Sequence, residues 1–382
     1  MNGAVSKIEV KPARTQAERR AWMEVAYKLN QSDPAFVPPL KQMMLERIDP
    51  KHNAFFQHGE AELLIAVRDG EPVGRLSVQV NRLHLEKYQD RTGHFGFFEC
   101  VDDIDVAQAL LGAGEDWLRK RGLARVMGPF EFSINEECGL LVDGFDDPPA
   151  ILMTHAARHL HRLLDGAGYQ KSKDLLAFRI DMQAPFSATA DRFLSIGGSN
   201  SKVKFRQLDP RRYEAEIETM ISVYNDAWSD NWGSIPITDT QTALMAKSMK
   251  PLFVPQLGLF ASVGDETVGT IAALPNLNEA IKDFSGRLLP FNWARLLWRL
   301  KVRGVESARV IILGIRKSHR RTILAPVIAS GLIGRLIAGG RKLNLKWGEL
   351  SWVLEDNDAM THIGELLTGK AAKTYRIYAK DL

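Results

Sequence analysis

Two stretches half a chain apart read as copies of one β-hairpin. Residues 61–80 run AELLIAVRDGEPVGRLSVQV and residues 256–274 run QLGLFASVGDETVGTIAAL. In each, an apolar strand enters a Gly/Asp turn, passes Pro72-Val73-Gly74 or Thr267-Val268-Gly269, and continues as a second apolar strand. The match extends to residues 159–180 (HLHRLLDGAGYQKSKDLLAFRI) and 361–378 (THIGELLTGKAAKTYRIY). Both read as a short helix, a glycine, a lysine-bearing turn and a closing strand. Self-similarity of this kind predicts duplication of one mixed α/β unit. The 382 residues suffice for two such domains, because single cores stop growing beyond about 250–300 residues. We place the first domain at 1–186 and the second at 187–382, with Gly197-Gly198-Ser199 in the junction.

Composition narrows the function. A chain with 45% hydrophobic and 25% charged residues builds a packed core. A net charge of +4 is too weak for a nucleic-acid protein, and the aromatics are not interleaved with basic residues. It suits an anionic ligand or an acidic membrane surface. Cys100 and Cys138 have neither metal-ligand spacing nor a disulfide pattern, so we expect a reducing compartment and no metal. His155, His159 and His161 are read as core or surface residues. The first twenty residues lack the apolar core of a signal peptide. Residues 322–340 are apolar but interrupted by Arg335, and read as a buried helix and not a membrane span. The expected localisation is cytoplasmic. Residues 289–303 (LPFNWARLLWRLKVR) have no counterpart in the first copy. They read either as a basic, Trp-bearing peripheral contact with anionic membrane or as a surface helix docked on its own domain.

The strongest local signal is residues 308–325, ARVIILGIRKSHRRTILA. An apolar strand ends in five basic or imidazole side chains within Arg316–Arg321, and an apolar helix follows. A helix N-terminus offers backbone N–H groups and a positive dipole end, so this arrangement suits phosphates. The segment resembles the acyl-CoA-binding strand–turn–helix of the GNAT acyltransferase superfamily, whose pattern is Arg/Gln-x-x-Gly-x-Gly/Ala. Arg320 and Ala325 match it, and Ile323 stands where the pattern has Gly. The first copy has the acidic run ECVDDID at 99–105 instead. Over both halves the chain also resembles a bacterial GNAT-like family that includes the ceramide synthases. That likeness rests on HFGFFECVDD at 94–103, GPFEFSINEECGLLVDGFDDPP at 128–149, Asn231-Trp232, ELSWVLEDN at 349–357 and KTYRIY at 373–378.

The resemblance implies an α/β fold of two tandem GNAT-like domains with mixed sheets, the first shaping substrate and the second binding acyl-CoA. It implies coenzyme contacts at Ile315, Arg316, Arg320, Arg321, Thr322, Ile323, Leu324, Ala325 and Asn357. The implied reaction moves a fatty acyl group from acyl-CoA to the amine of a long-chain sphingoid base. Two alternatives stay open: an N-acetyl or aminoacyl transferase acting on a small amine or peptide, and a non-catalytic acyl-CoA or lipid-binding protein. Acyl transfer to an amine needs a deprotonated amine and charge stabilisation at the thioester. Candidate carboxylates are Glu136 and Glu137 in an otherwise apolar segment, Glu99 in an aromatic strand, and Glu349 in the strand that borders the thioester in GNAT folds. Asn135, Cys138, Asn231, Trp232 and Trp298 are candidate substrate contacts.

Overall fold

The computed structural model describes residues 7–382. The first copy contributes strands β1 (Ile8–Pro12), β2 (Gly59–Arg68), β3 (Glu71–Asn81), β4 (Thr92–Cys100), β5 (Arg125–Gly128), β6 (Leu140–Asp143) and β7 (Gln170–Asp181). The second contributes β8 (Val203–Gln207), β9 (Gly258–Val263), β10 (Glu266–Pro275), β11 (Ser307–Ile315), β12 (Trp347–Leu354) and β13 (Lys373–Asp381). Both copies place helices after their first strand, after the fourth, and before the last. The α/β character and the tandem plan are those expected.

The chain divides into two compact units. One holds residues up to Leu175 together with Ile281–Leu289 and Lys373–Leu382; the other holds Leu176–Ala280 and Pro290–Ala372. Chain order and compact unit therefore part company at the closing strands. β13 completes the first unit's sheet, in the order β1-β2-β3-β4-β5-β13, with β6 also on β13. The end of β7 lies beside β12 in the second unit's sheet, which continues β12-β11-β10-β9-β8. Each sheet is antiparallel along its hairpins, and β4/β5 and β11/β12 pair in parallel.

The repeated Val-Gly pairs have a packing reason. A Cβ on Gly74 would sit 2.7 Å from Leu110 Cδ1, and one on Gly269 would sit 2.7 Å from Ile328 Cγ2. Leu110 and Ile328 belong to the helices Ile104–Arg119 and Ala325–Lys342, which follow the fourth strand of each copy. The glycine thus lets an equivalent helix lie close to an equivalent hairpin. Helix Gln16–Leu29 starts at a full capping box, with Thr15 and Glu18 each bonding the other's backbone N–H. The junction is more ordered than its Gly/Ser content implies. Ser187 caps helix Ala188–Ile196, and Phe193, Leu194 and Ile196 pack on the second unit's core. Gly197 and Gly331 meet backbone to backbone, at a distance a side chain would block.

Candidate functional site

In the second unit, β11 and β12 pair in parallel from Ser307/Trp347 to Val310/Leu350 and then stop pairing, although both strands continue. The sheet opens at Ile311 and Ser351, and β11 leads from this opening straight into the basic turn. Arg316 anchors the turn: its Nε donates to Thr267 O (2.9 Å) and its Nη2 to Ser222 Oγ (3.1 Å). Lys317 Nζ and Arg320 Nη2 both reach Asp230, at 2.6 and 2.7 Å. These two hydrogen bonds hold the Asp230 carboxyl below its ordinary range. All three side chains are 32–56% exposed, so the pairs are weak and free to exchange for another anion. Helix Ala325–Lys342 begins without a side-chain cap, at Leu324, which leaves its positive end to whatever ligand the turn holds.

The substitution at Ile323 does not close this site. Its side chain is 90% exposed, and its backbone is not among the left-handed positions that would demand glycine. Thr322 Oγ1 accepts from Leu324 N, and Asn357 Oδ1 accepts from Met360 N at the helix that follows β12. The basic side chains and the uncapped helix start fit the phosphates of coenzyme A.

Beside the opening lies a buried polar group that sequence reasoning found only in part. Glu349 is 4% exposed and accepts from Ser351 Oγ (2.6 Å). Ser351 in turn accepts from Arg309 Nε (2.8 Å), and Arg309 is 5% exposed. Arg309 stands across the ladder from Glu349, so the buried carboxylate has a buried cation in register. Trp352 packs edge-on against Trp228, whose Nε1 donates to Leu313 O. Asn231 and Trp232 follow Asp230 directly, in the turn that clamps the basic side chains. Trp298 lies elsewhere, half exposed in residues 290–303.

The first unit concentrates acid. Arg47, at the end of helix Lys41–Arg47, touches three glutamates: Nη1 lies 3.2 Å from Glu131 Oε2 and 3.1 Å from Glu137 Oε1, and Nε lies 3.3 Å from Glu136 Oε2. A tight loop brings the three together, with Glu131 N donating to Glu137 O and Glu136 N to Ser133 O. Phe132 at its centre has a left-handed φ of +81° and is fully buried, stacked on Phe55. A bulky residue holds that conformation only where its surroundings impose it, and such positions gather at functional sites. Nearby, Glu99 accepts from Asn30 Nδ2 (2.5 Å) and Arg75 Nη2 (3.3 Å). Arg75 lies over the Trp22 ring, and Arg47 over Phe97.

Four carboxyl groups face two guanidinium groups here, among aromatic rings. Burial pushes Glu136 up to about 7 against the pull of Arg47 and Asn53. Burial raises Glu131 as well, with Arg47 pulling it down and Glu137 adding like-charge repulsion. The three glutamate side chains remain 14–23% exposed, so a small cation can reach them. The structure therefore brings Glu136 and Glu137 together and sets Glu99 close by. It adds Glu131, Arg47, Arg75 and Asn30, which sequence reasoning missed. Asn135 N bonds Ser133 Oγ within the same loop, and Cys138 is buried at a bridge to Phe130. His155 pairs with Asp33 and His159 with the Cys100 carbonyl.

At the point matching the basic turn, the first copy is closed. Helix Ile104–Arg119 is capped by Asp103, which also pairs with Arg68. β4 and β5 pair only from Thr92/Arg125 to His94/Met127. Beyond that, Phe130 N donates to Phe95 O (2.7 Å) and Gln79 Nε2 to Phe130 O (2.7 Å), which sews the opening shut.

No family model matches the chain. It is 42% identical over 376 residues, 98% of each chain, to the bacterial ceramide synthase of Caulobacter vibrioides (strain NA1000 / CB15N). It is 36% identical over 366 residues, 95% of this chain and 93% of the other, to Protein YghO of Escherichia coli (strain K12). Among solved structures it is similar to a tandem GNAT protein from the clavulanic acid biosynthesis pathway, with a TM-score of 0.55, 10% identity and 98% of each chain covered. A GCN5-related N-acetyltransferase from Sphaerobacter thermophilus aligns with a TM-score of 0.52 and 14% identity over 98% of this chain and 95% of that one. With its two GNAT-like halves and this full-length relative, the chain belongs to the family of tandem GNAT-like acyltransferases that contains the bacterial ceramide synthase.

Proposed function

We propose that the protein is an acyl-CoA-dependent N-acyltransferase that joins a fatty acyl group to the amine of a long-chain sphingoid base. The observation that carries this reading is the end-to-end match to the bacterial ceramide synthase; the basic turn beside parted strands supports it. In this reading the second unit binds the thioester. Arg316, Lys317, Arg320 and Arg321 take the phosphates, with the helix from Ala325 behind them. The glutamates around Arg47 can attract an ammonium group, and Glu136, held near neutrality by burial, can take up a proton. In the transfer itself the deprotonated amine nitrogen attacks the thioester carbonyl, the C–N bond forms, the C–S bond breaks, and the thiolate leaves as thiol with the proton that the nitrogen sheds. Glu349 holds the Ser351 hydroxyl and offsets the charge of Arg309. The cytoplasm supplies acyl-CoA, and the amine is a lipid.

Purified protein incubated with a long-chain acyl-CoA and a sphingoid base, read by mass spectrometry, yields the corresponding amide. Acetyl-CoA and a small soluble amine in the same assay yield none. Amide from the second pair alone would replace the lipid reading with acetyl transfer. Coenzyme binding without any product would leave a sensor.

A further inference from the structure

We propose that residues 290–303 form a docking surface for anionic phospholipid bilayer. Five large apolar side chains stand in solvent within this short stretch: Phe291 at 78% exposure, Val302 at 72%, Trp298 at 53%, Leu297 at 52% and Trp293 at 50%. Soluble surfaces scatter such residues singly and seldom gather them. Helix Asn292–Trp298 sets Trp293 and Leu297 one turn apart on the same side, and the widened turn Arg299–Arg303 does the same for Trp298 and Val302. The patch is displayed, not collapsed. Arg299 Nη1 is tied to Ala280 O (2.7 Å) and Lys301 Nζ to Pro251 O (3.2 Å), which fixes the segment on its own unit with its apolar side outward.

Charge selects the occupant. Arg295, Arg299, Lys301 and Arg303 lie in the stretch and no acidic residue does. Tryptophan and basic residues together suit the headgroup layer of an anionic membrane. A second copy of this chain would have to face the outward Arg295 and Arg303 with the same two cations, since Arg299 and Lys301 are turned onto their own unit. The connection from β3 to β4 in the first copy, residues 82–91, is short and shows none of these exposed side chains, whereas β10 to β11 takes residues 276–306. The inference deepens the proposed function, since a lipid amine must be drawn from a bilayer. Among the described residues no helix is long and apolar enough to cross one.

Flotation of the full chain with vesicles tests it. The protein floats with vesicles containing phosphatidylglycerol and far less with phosphatidylcholine alone, and high salt releases it. Phe291→Ser with Trp293→Ser lowers the partition coefficient roughly tenfold or more, and Arg295→Glu with Arg303→Glu lowers it at least as far on phosphatidylglycerol. Both variants keep the wild-type circular dichroism spectrum and urea midpoint, so loss of binding is separated from loss of fold. Wild-type protein that fails to float, or variants that float as well as wild type, overturn the proposal. So does light scattering that shows a dimer which the apolar variant abolishes while no vesicle binding is seen. If no amine is acylated yet flotation follows the pattern above, the membrane surface stands and the enzymatic reading falls.

Discussion

After its fourth strand the first copy runs through Val101 and Asp102 to a helix whose open end is capped by the chain's own Asp103. The second copy, at the same place in the repeat, runs through Arg316 and a short helix Lys317–Arg320, whose Lys317 N donates to Asp226 Oδ2, to a longer helix that starts with no side-chain cap. The strands beside these turns differ in the same sense. Phe130 stitches the first copy's opening closed through Phe95 and Gln79, while β11 and β12 remain parted beyond Val310 and Leu350. A carboxylate at a helix start satisfies the amides and stabilises the fold, but it repels a phosphate. In the proposed function the duplication yields one anion-binding copy and one copy released from that duty, where acid has gathered around Arg47 instead.

The largest expected effect comes from the acidic side of this comparison. Glu136→Gln or Glu131→Gln lowers kcat by about a hundred- to ten-thousand-fold, the usual worth of a positioned base, and leaves coenzyme affinity unchanged by calorimetry. A matching loss of coenzyme binding would mean that the copies do not divide the work. The same glutamate shapes stability. The Glu136 carboxyl is raised from 4.5 to about 7 in the folded chain, so the folded state holds its proton more tightly than the unfolded one. That contribution is complete below the unfolded value and is lost as pH rises through the folded one. Urea midpoints of wild type minus Glu136→Gln therefore fall between those two values and level off above them.

Next in size is the basic turn. Arg320→Ala raises the coenzyme dissociation constant about tenfold to a hundredfold, the worth of a charge-assisted hydrogen bond to phosphate. Arg68→Ala, which removes the guanidinium nearest the corresponding helix start of the first copy, changes it little. An equal effect at Arg68 would give the first copy a coenzyme role.

The parts of the molecule that are readable from the chain are those with local grammar. The hairpins, the helix Gln16–Leu29 and the strand entering the basic turn each carry a periodicity or a cap within a few residues. What escaped depends on distance along the chain. Arg47 meets Glu131, Glu136 and Glu137 across more than eighty residues, and nothing around it marks it apart from other helix-ending arginines. Arg309 sits inside an apolar strand and is explained only by Glu349 and Ser351 on the neighbouring one. The closing strands β7 and β13 have the same apolar alternation whichever sheet they join, so their membership is invisible until pairing is known. Glu136 and Glu137 stood out because an acidic pair in an apolar segment is unusual on its face.

The duplicate glycines sharpen the claim that the copies share a frame. Replacing a glycine by alanine restricts the unfolded chain and stabilises by about 0.4–1 kcal/mol where the new methyl fits. It does not fit at Gly74, where a Cβ meets Leu110 Cδ1 at 2.7 Å and Cys100 Cβ at 2.8 Å, nor at Gly269, where it meets Ile328 Cγ2 at 2.7 Å. Overpacking wins, and each substitution costs about 1–3 kcal/mol in urea denaturation. A cost at one position only would show that the two hairpins carry their helices differently.

The smallest effect tests the cap itself. Asp103 Oδ1 accepts from Asp105 N, and Oδ2 pairs with Arg68 at 2.7 Å with both side chains about 30% exposed. An ion pair that open contributes little, so most of the loss in Asp103→Ala comes from the cap, about 1 kcal/mol. The same change removes the charge that distinguishes this helix start from the one at Ala325. If charge alone kept phosphate from the first copy, Asp103→Ala would add a second, weak coenzyme site to the titration. We expect a single site still, because Phe130 continues to fill the opening between β4 and β5 even though the change frees Arg68. A second site would show that the cap, and not the closed sheet, separates the two copies.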